Sequence, residues 1–309
     1  MTGRLFIDGI DAYQRYTVAV LLGGWNELVA MPPLKAVDYN DWQEEDGVEA
    51  DLSAPVLNTR EVQIKFASAG GNWEAFLSKL SDGAYHEFDC RHIGRNYTLR
   101  LVSEGTRTTL RTLVTSTLKF ADDFPLHGYE YVPPVSSIAQ VRDYLIDGRP
   151  FTDYGVRILQ GSLAEIGKSA AVKTNLLRNI KTVSGATYDP LNVTYKSKDV
   201  KLYCLARAES VEQLWRNYDA LLYDLIRPYA HVLWANKMGE SYFCSYKSCS
   251  VSDFFPQDKV WLQFTLTLTI YRRVATEDIQ EALGLSSVSD VSEEAQVVRG
   301  RIAALYKRT

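Results

Sequence analysis

Cysteine and histidine are scarce in this chain, with four of each in 309 residues. Cys90, Cys204, Cys244 and Cys249 form no CxxC pair, which excludes a disulfide scaffold and the paired-cysteine metal sites. Reduced, partly buried thiols in a cytoplasm-like compartment are expected instead. No apolar run approaches the roughly 20 residues that span a bilayer, so membrane insertion is not expected. The opening MTGRLFIDGID has no basic segment followed by an apolar core, so no signal peptide is expected. Excess positive charge is also missing: the formal net charge is −4, and nothing draws the chain to nucleic acid or anionic membrane. Sequence signatures of enzymes are missing as well. There is no G-x-S-x-G, P-loop, G-x-G-x-x-G or H-E-x-x-H.

What is present is an ordinary soluble composition, 46% hydrophobic and 23% charged, with 19 tyrosines and many β-branched residues in short runs. That bias favours strands. The main feature is a repeat. YTVAVLLGG from Tyr16 matches YGVRILQGS from Tyr154 at an offset of 138. The offset aligns Gly23 with Gly161, Lys35 with Lys173, Gly47 with Gly185, and Val62 with Val200. REVQIKF and KDVKLYC alternate in the same register. Each precedes a helix signal: Trp73, Phe76, Leu77 and Leu80, then Val211, Leu214, Trp215, Tyr218, Leu221, Leu222 and Leu225. Ser210 and Gln213 form a capping box at the second helix. Hairpins around Gly94 and Gly239 follow, and then a closing strand. In the second half that strand carries Trp261, Phe264, Leu266, Leu268 and Ile270 on one side.

The expected fold is therefore β-dominated α+β, with two tandem modules. Each is an antiparallel sheet or split barrel with one covering helix. The expected domains are residues 1–121, a linker over 122–150 with a short helix in SIAQVRDYLI, residues 151–273, and a helical tail over 274–309. In that tail Val291, Ala295, Val298, Ile302 and Leu305 recur at the spacing of a packing seam.

Three patterns invite a chemical reading. His86, Cys90 and His92 share one face of a continuous strand, which is a conceivable metal cluster; the blander reading is a hairpin strand with mixed polar residues, and no metal is expected. The run DYNDWQEEDGVEAD, Asp38 to Asp51, holds Asp41, Glu44, Glu45 and Asp46 around Trp42 without a Lys or Arg. Its acids fall at the wrong places for an EF-hand, so a solvated, mobile loop is expected. Trp25, Trp42 and Trp234 suit sugar stacking, but aromatics on strands are more often core. Paired carboxylates of the kind glycosidases use are not singled out anywhere. Catalytic residues and cofactors are not expected.

LFIDGIDAYQRYTVAVL, followed by REVQIKF, NWEAFLSKL and NYTLRLV in that order, resembles the start of bacteriophage distal tail proteins over about residues 4 to 120. The second half, from FTDYGVRILQGS, resembles the same tail-tube-like module. Where that family often has a Pro-Gly-Arg-Gly type turn, this chain has NDWQEEDG. The resemblance implies a structural, non-catalytic protein of a phage tail or baseplate, in a virion assembled in the host cytoplasm. It implies self-association into a trimeric or hexameric ring, with tail tube and baseplate hub proteins as partners. The acidic loop would then face the lumen or reach a neighbouring subunit. The alternative is a duplicated carbohydrate-binding β module.

Overall fold

The computed structural model describes residues 2–173, 181–186 and 193–274. Strands and helices run in the order β1 (Phe6–Ile7), β2 (Ile10–Asp11), α1 (Ala12–Tyr16), β3 (Val18–Val20), α2 (Asn26–Val29), β4 (Tyr39–Asn40), β5 (Glu49–Ala50), β6 (Arg60–Ala69), α3 (Trp73–Leu80), β7 (His86–Cys90), β8 (Arg95–Leu110) and β9 (Leu113–Asp122). The second half continues with β10 (Tyr144–Ile146), β11 (Arg149–Pro150), a 3-10 turn (Phe151–Tyr154), β12 (Val156–Ile158), α4 (Ser162–Gly167), β13 (Lys198–Ala208), α5 (Val211–Leu225), β14 (His231–Ala235), β15 (Glu240–Phe255) and β16 (Val260–Arg273).

Two open antiparallel sheets of seven strands result. Their orders are β2-β1-β7-β8-β9-β6-β3 and β11-β10-β14-β15-β16-β13-β12. These are the same topology, strand for strand. The duplication extends to single hydrogen bonds. Leu21 N–H donates to the Lys65 carbonyl as Leu159 does to Tyr203, and Lys35 N–H donates to Val56 as Lys173 does to Thr194. Isolated bridges join Leu34 to Leu57 and Val172 to Tyr195 at the same offset. The offset later grows by seven because α3 has 8 residues and α5 has 15. His86 and His231, which open β7 and β14, are accordingly 145 apart.

Each sheet carries its helix on the face where apolar residues alternate. Val62, Ile64 and Phe66 of β6 are buried with Trp73, Phe76 and Leu80 of α3. Phe66 meets Phe76 at 5.4 Å and Phe120 at 6.3 Å between ring centroids, edge-on as aromatic quadrupoles prefer. In the second module Tyr218 of α5 meets Phe264 of β16 at 5.3 Å. The buried face of β16 is Leu262, Phe264, Leu266, Leu268 and Ile270. Trp261 points the other way and stacks on Phe255, so it does not belong to the core stripe where it was expected.

The expected linker helix does not form. Residues 137–143 carry no helix, and Tyr144–Ile146 and Arg149–Pro150 pair as strands, so the second sheet begins at Tyr144 and not at 151. Two causes are visible. The backbone of Val141, inside the segment, is occupied on both its N–H and its carbonyl by the Thr152 hydroxyl. Asp147-Gly148 then makes a two-residue hairpin turn with φ of 50° and 78°, the type I′ geometry that Asp-Gly favours. Asp8-Gly9 does the same between β1 and β2. The expected C-terminal helix, with Val291, Ala295, Val298, Ile302 and Leu305, lies outside the described residues.

Candidate functional site: the seam between the modules

The Asp38–Asp51 run is not a featureless loop. Tyr39 pairs with Ala50 and Asn40 with Glu49, which makes a small ribbon of β4 and β5. Trp42 donates its indole N–H to Glu49 at 2.9 Å. The hydrogen-bonded Trp42 and Asn40 hold the Glu49 carboxyl below its ordinary range. The acidic side chains stay in solvent, as expected, but the ribbon tip lies on the second module. Gly47 N–H donates to the Tyr195 carbonyl at 2.7 Å, and Asp46 accepts from Tyr195 N–H at 2.8 Å. Thr194 donates its hydroxyl proton to the Gln43 carbonyl at 2.8 Å. Gly47 has φ of 72°, and a Cβ there would stand 2.1 Å from the Tyr271 carbonyl oxygen. Only glycine fits so close an approach.

Lys173 anchors the same contact. Its side chain is 2% exposed, and its ammonium lies 2.7 Å from the Asp41 carboxylate and 2.7 Å from the Trp42 carbonyl. A buried ammonium is costly unless paired, and the first module supplies both partners. Among the named loop residues, Asp41, Trp42 and Asp46 thus meet the second module. No such contact is made by Glu44 or Glu45 in the hydrogen bonds and ion pairs described.

Lower on the seam, Trp215 of α5 donates to the Ile93 carbonyl at 2.7 Å. Arg95 stacks over the Trp215 ring at 4.7 Å and pairs with Asp219 at 2.9 Å. Burial pushes the Asp219 carboxyl up, against the pull of Arg95. Tyr246 donates to the Pro32 carbonyl at 2.8 Å. A cleft of about 680 Å³ runs along this seam. Four of the charged groups that line it form two ion pairs, Arg60 with Asp122 and Arg95 with Asp219.

The third contact covers a sheet edge. β14 pairs with β15 only over Glu240–Cys244. Beyond that, the free side of β15 is met by the first module. Leu34 N–H donates to the Lys247 carbonyl at 3.0 Å, and the Asn26 amide donates to the Ser252 carbonyl at 2.9 Å. An open edge of this kind is a template for pairing. The modules therefore dock through unlike faces: α2, Leu34 and the ribbon on one side, α5 and the β15 edge on the other. That is a heterologous contact between copies of one fold.

The suspected metal cluster is not assembled. β7 ends at Cys90, so His92 sits in the following turn beside Trp25, with ring centroids 6.2 Å apart. His86 Nδ1 is 2.8 Å from Asp8. Burial pushes the Cys90 thiol up, away from the thiolate a metal needs. Among the described residues no three His, Cys, Asp or Glu side chains cluster as metal ligands. Trp25 and Trp234 are half-buried, while Trp42 is 51% exposed. No helix among the described residues is long and apolar enough to cross a membrane.

Two paired sites went unread at sequence level, Asp8 with His86 and Asp147 with His231. The signal was the repeated Ile-Asp-Gly at Ile7 and Ile146, displaced by 139 instead of 138. No protein-family model and no curated protein matches the chain. Among solved structures, it is similar to the Dit protein (gp 19.1) of phage SPP1, described as a paradigm of the hub adsorption apparatus of Gram-positive-infecting phages. The two are 13% identical, with 88% of this chain and 99% of that one covered, at a TM-score of 0.30, a loose overlap.

Proposed function

We propose that this chain is a non-catalytic structural subunit of a phage tail or baseplate, which closes into a ring at the distal end of the tail tube. The observation that carries this reading is the seam. Two copies of one fold dock by unlike faces, and such a contact can repeat from chain to chain. The buried Lys173, the close approach at Gly47 and the covered β15 edge make the seam a specific joint and not a tether. The resemblance to distal tail proteins supplies the setting, with tail tube and baseplate hub as neighbours. A net charge of −4 suits a conduit that must not hold DNA. Sedimentation equilibrium over a concentration series tests the reading. Closed trimers or hexamers are expected. A monomer at every concentration that binds glycans through Trp42 would replace it with the carbohydrate-binding alternative.

A further inference from the structure

The joint inside the chain seats Leu34 on the β15 edge at Lys247, and in the hydrogen bonds and ion pairs described neither Val172 nor the β8 edge at Val102 takes part in it. On the second module the receiving point is Lys247, in a bulge of β15 between Tyr246 and Ser248. The first module has the same bulge in β8, between Leu101 and Ser103, and its extra residue is Val102. The spacing of 145 from Val102 to Lys247 is that of His86 to His231. β7 covers β8 only over Arg95–Leu99, so the edge beyond runs on as β15 does, and Val102 is 40% exposed. On the donating side, Leu34 corresponds to Val172, which is bridged to Tyr195 as Leu34 is to Leu57. Val172 is 43% exposed. Helix α4 lies ahead of it as α2 lies ahead of Leu34.

We infer that a second copy of this chain docks here, its Val172 edge and α4 seated on the β8 edge at Val102, repeating between chains the joint that Leu34 and Lys247 make within one. This rests on the assembly reading above and gives it an address. Both joints have the same polarity, so chains add head to tail. A ring of them would contain an even number of modules, alternating first and second. The covered β15 edge shows which occupant fits: a copy of the same fold, presenting the segment that follows its short helix.

Disulfide trapping tests this on the full chain. Leu34→Cys with Lys247→Cys should close within one chain under mild oxidation, which sets the reference for spacing. Val102→Cys with Val172→Cys should give a reducible ladder of covalent oligomers at multiples of the chain mass. Neither single variant should extend past a dimer. Three native cysteines are buried and the fourth half-buried, so background linking is low. If sedimentation shows closed oligomers and the double variant gives no ladder, the address is wrong while the assembly reading stands. If the unmodified chain stays monomeric at all concentrations, both fall.

Discussion

Asp8 holds His86 across 78 residues of chain, its Oδ2 lying 2.8 Å from the imidazole Nδ1. Its other oxygen accepts from Glu87 N–H at 3.0 Å, and Asp8 N–H donates back to the Glu87 carbonyl. Asp147 repeats every element of this with His231 and Val232. An ionised carboxylate only accepts, so Nδ1 carries the proton. The pair fastens the Asp-Gly hairpin turn of each module to the strand that follows its helix. Asp8→Ala and Asp147→Ala should each cost about 1–3 kcal/mol, because each leaves a buried imidazole donor unsatisfied. Urea midpoints measure this, and equal losses in the two modules would mark the pair as part of the shared frame.

Acid titration follows from the same carboxylate. Burial alone would raise Asp8, but Lys79, His86 and the Glu87 N–H outweigh it and hold the group at about 2, down from an ordinary 3.8. The folded value is depressed, so the contribution is complete above about pH 5 and is lost as pH falls through 3.8 towards 2. Wild-type stability should drop across that window, and Asp8→Asn should show a shallower drop there.

Gly47 and Gly185 align in the repeat and both have positive φ, of 72° and 87°. Of the two, Gly47 has a carbonyl where a Cβ would stand, whereas Gly185 has nothing within 4 Å among the described residues. Gly47→Ala should therefore lift the ribbon from the second module, with faster hydrogen exchange at Tyr195 N–H. Gly185→Ala should cost only the backbone strain, about 1 kcal/mol.

The helix faces, the hairpins at Gly94 and Gly239, and the duplication itself were legible because they depend on local periodicity. The capping box was too: Ser210 accepts from Gln213 N–H, although the Gln213 side chain reaches Glu209 N–H and not Ser210. SIAQVRDYLI misled because its apolar spacing suits a helix, while a turn one residue out of register commits Tyr144–Ile146 to the sheet. The acidic run gave no sign of its docking, since its partners Lys173, Thr194 and Tyr195 lie some 130 to 150 residues away. Contacts of that range leave no local pattern.

Trp215 links the modules through its indole N–H to the Ile93 carbonyl and its ring beneath Arg95. Trp215→Ala should cost about 3–5 kcal/mol and weaken the coupling of the modules. Calorimetry should then show two transitions where the wild type shows one.

Lys173 is buried by partners from the other module. Asp41→Ala leaves its ammonium, among the described residues, with the Trp42 carbonyl and should cost about 1–3 kcal/mol. Lys173→Met, which removes the buried charge, should be milder. Thermal midpoints of the two variants decide the order.

The proposed function requires this chain to be a pair of like units that continue head to tail. Electron cryomicroscopy of the concentrated full-length protein tests that most directly. The predicted result is a closed ring of modules related by nearly equal rotations, with the Leu34–Lys247 joint alternating with a Val172–Val102 joint. Single chains with the β8 edge and the Val172 edge both open to solvent at every concentration would contradict it.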